Sequence, residues 1–547
     1  GAEDLKYRFQ WNFPILWSKH DTKALYTAAQ VLFVSRDEGA SWQAISGDLT
    51  RNDKSKMGSS GGPITKDNTS VEYYGTIFTV DEGRVAGTIW TGSDDGLIHV
   101  TRDGGKSWAN VTPKSAPEWM QWNCIAAGPH GDGSCYVAGT RYKLDDFKPY
   151  LYATDDYGAT WREIVGGIDP GWFARCIRPD PVRKGLLYCG TERTVWISFD
   201  DGRRWQRFAG GLPPVPVTDL CIEGNSLIAA TQGRSLWSFD GLEHVRQLDA
   251  EQASADVHLY EAVSVAQFPG GDGEAKGQGR NPASRPTVRF FVGGKAEAAI
   301  DQRVAIEVRD PLGEVVFARA TDAEDEAKKW TVKRGMNAVA LDWKIDGPKI
   351  LDGMILWNGR GGALKAAPGD YAVRLTFGER ELTATARIEP DPRTDATAEQ
   401  LQERLRLAMR CRDAVTRAHE AIERIRSFRD QSASVLERAE GEAKERLGKE
   451  RDALLAPLTA VEEALYQTQS KSSQDPLNFP IRLTDKLLGV MSSVDRAEYG
   501  PTQGQTAVAD ELIAAIDAQL ATFATAHPDA LARFNALARE LVVPYIK

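Results

Sequence analysis

The sequence predicts a mainly β protein with an α-helical tail: β-propeller blades, then a β-sandwich of fibronectin or immunoglobulin type, then a helical bundle. Three observations carry this. A motif S/T-x-D-x-G-x-x-W occurs four times, as "SRDEGASW" from Ser35, "TRDGGKSW" from Thr101, "TDDYGATW" from Thr154 and "SFDDGRRW" from Ser198. Residues from about 286 to 392 alternate apolar and polar positions at strand spacing. From Thr394 the composition turns to Ala, Leu, Glu and Arg, with apolar residues recurring every three or four positions.

The repeat organises residues 1–245. Its aspartates, Asp37, Asp103, Asp156 and Asp200, are spaced 66, 53 and 44 apart, and a worn fifth copy, "SFDG" at 238–241, follows after 40. Each unit reads as four short strands; in the third they are "QWNCIAAGP", "CYVAGT", "YLYATD" and "TWREIV". Four-stranded units at such a period predict propeller blades, about five of them. The stretch "YRFQWNFPILW" reads as a full first strand, and "SLWSFDG" closes the last blade. The motif then falls on the hairpin between third and fourth strands. There the carboxylate accepts turn N–H groups, Gly39, Gly105, Gly158 and Gly202 permit positive φ, and Trp42, Trp108, Trp161 and Trp205 bury apolar surface between neighbouring blades. The four aspartates read as turn staples, not as catalysts.

Residues 246–285, with "GGDGEAKGQGRNPASRP", read as a polar, Gly-rich linker. The sandwich follows at 286–392, with strands in "TVRFFVGG", "RVAIEVRD", "VVFARAT", "NAVALDWK", "DYAVRLTFG" and "ELTATARIEPDP". In 393–547 a long amphipathic helix carries Leu401, Leu405, Ala408, Cys411, Val415, Ala418, Ile422 and Ile425 on one face. A second helix is expected over about 433–469, and shorter ones over 481–497, 505–525 and 528–542, which together make a bundle.

Bulk properties exclude several classes. The chain has 547 residues, enough for more than one domain. A net charge of −10 argues against nucleic acid, whose phosphates need a basic face. No apolar run is long enough for a membrane span. The start, "GAEDLKYRFQWNFPILW", has neither a basic region nor an apolar core, so no signal peptide is expected in it. It also lacks Met, as a processed or excised chain would. Of six cysteines, Cys124 with Cys135 and Cys176 with Cys189 flank expected hairpin turns; they are either cross-strand bridges or small buried apolar side chains.

The stretches "SGGPITKDNTSVEYYGTIFTV", "WTGSDDGLIHVTRDGGKSW", "RYKLDDFKPYLYATDDYGATW", "GLLYCGTERTVWISFDDGRRW" and "LPPVPVTDLCIEGNSLIAATQGRSLW", with "APGDYAVRL" and "PLNFPIRL" further on, carry a resemblance that covers almost the whole chain. It resembles the C-terminal part of the bacterial exported Asp-box (BNR) repeat proteins, sortilin-like in their propeller and often labelled glycosyl hydrolases. The resemblance implies export to the periplasm or outside the cell. It also implies further propeller repeats ahead of this stretch, about half the ring. Where the family tends to have His, this chain has Gln232, so any role of that His is lost. The glycosidase label follows fold analogy, which is a poor warrant for activity.

Chemistry is expected on the face opposite the motif hairpins, where loops from second to third strands and between blades open. That places Asp94 and Asp95, then Arg141, Tyr142, Asp145 and Asp146, then Glu192, Arg193 and Arg234 together with Trp119, Trp122, Trp172, Phe173 and Arg175. Glu72 and Tyr74 in "SVEYYGT" should start an innermost strand and face the channel. Aromatic rings beside carboxylates and guanidinium groups suit a glycan or polypeptide ligand, and binding it is the leading expectation. The alternative is a glycoside hydrolase, which needs two carboxyl groups; Glu72, Asp94 and Glu192 are the candidates, unless they pair with arginines or cap turns. A sialidase-like site lacks its Arg-Ile/Leu-Pro signature. No metal spacing, phosphate loop or nucleophile elbow is present, and no cofactor is expected. The open array predicts a partner: the rest of the same precursor or a separate subunit that completes the propeller.

Overall fold

In the computed structural model the repeat units are antiparallel sheets that follow one another in chain order. The first sheet holds β1 (Ile15–Trp17), β2 (Leu25–Ala28), β3 (Leu32–Ser35) and β4 (Gln43–Ala44). The second holds β5 (Ile77–Glu82), β6 (Ile89–Ser93), β7 (Ile98–Thr101) and β8 (Ala109–Asn110). The third holds β9 (Gln121–Ala127), β10 (Cys135–Arg141), β11 (Asp146–Thr154) and β12 (Arg162–Glu163). The fourth holds β13 (Ala174–Pro179), β14 (Leu187–Thr191), β15 (Val195–Ser198) and β16 (Gln206–Arg207). The fifth has three strands, β17 (Val217–Glu223), β18 (Ser226–Thr231) and β19 (Leu236–Asp240). Leading strands stack in succession, β5 on β9, β9 on β13 and β13 on β17, which is the arrangement of propeller blades. The structure describes residues 5–58, 64, 71–208, 210–249, 255–262, 264–266, 286–293, 303–311, 313–341, 344–359, 361–541 and 543. It divides into two units, Gly1–Ala250 and Glu251–Lys547.

The motif sits on each third-to-fourth-strand hairpin and is built the same way each time. Asp37 Oδ1 accepts from the Ser35 hydroxyl at 2.8 Å and the Ser41 amide at 2.9 Å, and Oδ2 accepts from the Ser41 hydroxyl at 2.6 Å. Asp103 and Asp156 repeat all three bonds, with Thr101 and Ser107 and with Thr154 and Thr160. Asp200 keeps the bonds from Ser198 and from the Arg204 amide. The hydroxyls of Ser41 and Ser107, first among the causes, hold Asp37 and Asp103 down at about 2. A carboxylate that fully engaged serves the turn. Gly39, Gly105, Gly158 and Gly202 have φ of 90°, 95°, 80° and 81°, and the residue before each is left-handed as well: Glu38, Gly104, Tyr157 and Asp201.

Three of the four motif tryptophans then reach the preceding blade. Trp108 Nε1 donates to the Ile45 carbonyl at 3.2 Å, Trp161 to Val111 at 2.7 Å and Trp205 to Ile164 at 2.6 Å. Trp161 also meets Trp90 edge-on at 6.3 Å.

Two expectations need correction. The segment 7–13 is not strand; Pro14 offers no N–H, the Phe13 amide turns back to the Gln10 carbonyl, and β1 begins only at Ile15. Instead Gln10 forms an isolated bridge with Glu72. Among the described residues the last blade has no fourth strand; helix α1 (Leu242–Gln247) follows Gly241 directly. Arg246 anchors that helix to the wholly buried Asp180 at 2.9 Å. Of the two readings of the cysteines, the structure holds the second: Cys124, Cys135, Cys176 and Cys189 are free and buried, with Cys124 opposite Ala138 and Cys135 opposite Ala127.

The second unit holds two sheets that share one core and a two-stranded sheet of β26 (Lys344–Ile345) and β27 (Leu364–Lys365). β20 (Val257–Leu259), β22 (Thr287–Val292) and β25 (Gly335–Ala340) form one sheet. β21 (Val265–Ala266), β29 (Arg380–Glu389), β28 (Gly369–Phe377), β23 (Val304–Arg309) and β24 (Val315–Ala320) form the other. Val288, Phe290, Ile306, Tyr371 and Leu375 meet between them. β20 and β21 lie inside the stretch read as linker; most of its remainder is outside the described residues. The helices are α2 (Ala398–Glu437), α3 (Gly441–Leu465), α4 (Leu483–Arg496) and α5 (Gln503–Glu540). Thr397 and Thr502 open α2 and α5 with full capping boxes. The expected break near residue 526 is absent, and α5 runs through Pro528. Phe428 packs on His527 at 6.3 Å and on Phe534 at 6.0 Å, which offsets the backbone bond that proline forfeits. Arg410–Asp510 and Arg417–Asp517 ion pairs, at 2.7 and 2.8 Å, set α2 and α5 side by side and parallel.

Because Trp205 is buried and bonded across a blade boundary, Trp205→Ala should cost about 3–5 kcal/mol in denaturant unfolding. An unchanged midpoint would show that the indole does not join the blades.

Candidate functional site

On the edge opposite the motif hairpins, the first three blades border a cleft of about 530 Å³. Its wall includes Trp11, Lys56, Glu72, Tyr74, Asp94, Trp119, Gln121, Arg141 and Lys143. The geometry begins with glycine. Gly96, at φ 104°, brings the loop after β6 so close to the segment before β9 that a Cβ would lie 3.1 Å from the Met120 amide. Trp119 on that segment is left-handed at φ 60°, which turns its ring toward Tyr74; the two rings stack with centroids 6.5 Å apart. Arg51 covers the Trp119 ring at 4.7 Å and Lys56 at 5.7 Å.

Asp94 is buried, and both its oxygens are in use. Oδ1 accepts from the Gly75 and Thr76 amides at 3.0 and 2.8 Å, and Oδ2 from the Thr76 hydroxyl at 2.9 Å. Burial pushes its carboxyl up to about 6 in spite of those bonds. Asp95, beneath it, accepts from Ser93 at 2.6 Å and from the Arg51 amide at 2.8 Å, and burial raises its carboxyl too. Burial, with the charges of both aspartates behind it, lifts the Tyr74 hydroxyl to about 12, so it stays a donor. Glu72 accepts from the Trp11 indole at 3.0 Å. Arg141 pairs with Asp146 at 2.9 Å, while its buried Nε has no partner among the described residues. Lys143 donates to Gln121 at 2.9 Å from the single turn of 3-10 helix Tyr142–Leu144, which left-handed Asp145 terminates.

The remaining candidates lie elsewhere. Trp122 is wholly buried against Tyr152 and has no surface to offer a ligand. Glu192 is not on the cleft wall; it pairs with Arg175 at 2.7 Å, and Arg175 lies over the Phe173 ring at 5.1 Å. Phe173 in turn stacks on Tyr142 at 4.9 Å. Trp172 is covered by Arg207 at 4.6 Å and Arg193 at 5.3 Å. Arg234 is exposed on the fifth blade, where its carbonyl accepts the Trp237 indole N–H. The structure therefore gathers Glu72, Tyr74, Asp94, Trp119 and Arg141 at the cleft, leaves buried Asp95 off its wall and sets the others apart; Glu72 and Tyr74 do not start a strand as expected, because β5 begins only at Ile77 and Glu72 is held instead in an isolated bridge to Gln10. Sequence reasoning missed Trp11, Lys56, Gln121 and Lys143. "QWNFP" was read as strand, and Lys56 stands in a long connection with no motif to mark it. Among the described residues no cluster of His, Cys, Asp and Glu is arranged to hold a metal ion.

No family model matches the chain, and no curated protein does. Among solved structures it is similar to the GH74 xyloglucanase from Xanthomonas campestris at 16% identity and a TM-score of 0.32, over 67% of this chain and 57% of that one. An ancestral GH74 enzyme matches at 14% identity and a TM-score of 0.30, over 70% of this chain and 46% of the other. The structure titled YCF48 bound to D1 peptide matches at 13% identity and 0.23, over 56% of this chain and 81% of that chain. The chain spans about half the length of the GH74 structures it matches. Scores this low carry no argument about activity.

A carboxyl raised in the folded state binds its proton where the unfolded chain has already lost it. Asp94 therefore withdraws stability as pH rises from about 4 through about 6. Asp94→Asn should unfold later than the parent above pH 6, and the advantage should vanish near pH 4; a constant difference across that window would rule out this titration.

Proposed function

We propose that this chain is an exported Asp-box propeller protein that binds a glycan or polypeptide segment in the cleft between Tyr74, Trp119 and Arg141. The supporting observation is the composition of the wall. Stacked rings offer an apolar platform, three cations stand around it in a chain of net charge −10, and each acid in the cleft is already engaged. Glu72 is held by Trp11 and Asp94 by Gly75 and Thr76, which leaves Lys56, Lys143 and the Arg141 edge for ligand hydroxyls or carboxylates. The two-sheet unit, read as a fibronectin-like sandwich, and the helices serve as scaffold or docking modules.

Glycoside hydrolysis is the second reading, and one observation favours it. Asp94, with its carboxyl raised to about 6 by burial, keeps its proton to a higher pH than an ordinary aspartate, which is the direction a general acid needs. Glu72 on the same wall would be its partner. Against this, the bonds to both Asp94 oxygens are those of a loop staple.

A glycan and peptide array probed with the parent, Trp119→Ala and Lys143→Ala separates the readings. Both variants should lose signal on the same probes by about tenfold or more while the Tm stays nearly unchanged, because half-exposed loop side chains contribute little to folding. Identical profiles would remove the cleft as the binding site. Release of reducing ends from a bound glycan, abolished by both Asp94→Asn and Glu72→Gln, would instead establish the hydrolase.

A further inference from the structure

Rings and cations continue past the cleft onto the fourth blade. The turn Tyr142–Leu144 serves both places. Lys143 and Leu144 border the cleft. Tyr142 stacks on Phe173 at 4.9 Å, and half-exposed Phe147 meets the same ring at 6.2 Å. Trp172, next to Phe173 in the chain, meets Trp196 edge-on at 5.9 Å and lies under Arg207 at 4.6 Å and Arg193 at 5.3 Å. Topology explains the gathering. Arg193 stands between β14 and β15, Trp172 precedes β13 and Arg207 ends β16, so all three reach the edge opposite the motif hairpins.

Four cations along this line have no carboxylate partner among the described residues, and each lies over a ring. Lys56 is 5.7 Å from the Trp119 ring, Lys143 is 6.0 Å from Tyr142, and Arg193 and Arg207 share Trp172. The acids of the same loops are already engaged: Asp146 by Arg141 at 2.9 Å, Glu192 by Arg175 at 2.7 Å and Asp169 by the Gly171 amide at 2.9 Å. Exposed Asp145 has exposed Lys148 to offset it. Arg193 and Arg207 are exposed as well. A guanidinium resting on an indole has given up part of its rotamer freedom in advance, so less is lost when it meets a planar anion.

We propose that the cleft and the Trp172 patch are two parts of one track for a uronate-bearing oligosaccharide, with Arg193 and Arg207 taking the carboxylate of a sugar residue beyond the cleft. This rests on the cleft reading above and adds the charge and the length of the ligand. A sugar ring lays an apolar face on an aromatic ring and turns the carboxylate on its rim to the cation beside it, which is the pairing repeated here. An acidic peptide fits less well, because its main chain gains affinity from strand edges or backbone amides, and this track is made of side chains.

Calorimetry on the full chain with a ladder of oligogalacturonates, from the dimer upward, is the test. Affinity should rise with length to a plateau. Arg193→Gln combined with Arg207→Gln should weaken the long oligomers by about tenfold or more and leave the shortest binding one unchanged, whereas Trp119→Ala should weaken every length. The fully methyl-esterified long oligomer should bind the parent at least about tenfold more weakly than the acid form, an arm that needs no variant to fold. The Tm of each variant should stay nearly that of the parent. The track is overturned if the arginine variant loses nothing, if it loses equally at every length, or if no oligogalacturonate binds. Equal binding of the methyl ester, or of poly-L-glutamate, would overturn it too, the ligand then being a neutral glycan or a polypeptide. Loss with Trp119→Ala alone leaves the cleft standing and removes only the track; loss with the arginine variant alone removes the cleft, and the track with it.

Discussion

One contact recurs at three successive boundaries of the first unit and the rest is arranged around it: an indole N–H closing on a main-chain carbonyl of the blade before. The aspartate fixes the hairpin, the left-handed pair turns it, and the tryptophan spends the resulting geometry on the neighbour. Stability in such an array is a sum over nearest neighbours, so each blade needs the next more than it needs the whole. The same division of labour frees the opposite edge. Loops there do not join blades through the motif, and Asp94, Trp119 and Arg141 can take conformations that serve a cleft.

Much of the blade architecture was legible because the motif has invariant spacing and a physical reason at each position. Strands β9 to β12 fall where alternation placed them. The misreadings share one cause: a local pattern overridden by a partner distant in sequence. The segment around Trp11 has strand composition, yet Gln10 bridges Glu72 and Pro14 blocks continuation. Pro528 signals a stop, yet Phe428, from another helix, packs across it. The cleft was half legible for the same reason. Asp94, Trp119 and Arg141 follow from blade topology, whereas Glu72 and Tyr74 reach the cleft from the segment ahead of β5 and not from the strand expected of them. Lys56 enters only because its long connection folds back over Trp119, and Trp122 is lost because alternation turns it inward.

Charge placement in the cleft runs against the chain as a whole. The chain carries a net charge of −10, yet Lys56, Arg141 and Lys143 stand together at one recess, beside Glu72 and Asp94. A low-dielectric wall of Trp and Tyr focuses the field of those charges. Asp94 stands on that wall but is buried, and with Asp95 behind it turns its oxygens to backbone amides and hydroxyls of its own loops and not to the recess.

The parallel pairing of α2 with α5 has a consequence for how the chain is made. Arg410 and Arg417 find their carboxylates 100 residues later, so synthesis completes α2 long before its partner exists. Two parallel neighbours must also be joined by a return path, which α3 and α4 supply. Contacts of such long sequence separation form late and slowly. Until α5 emerges, the face of α2 that it will cover stays wet, and this is the interval in which the nascent chain depends most on being shielded.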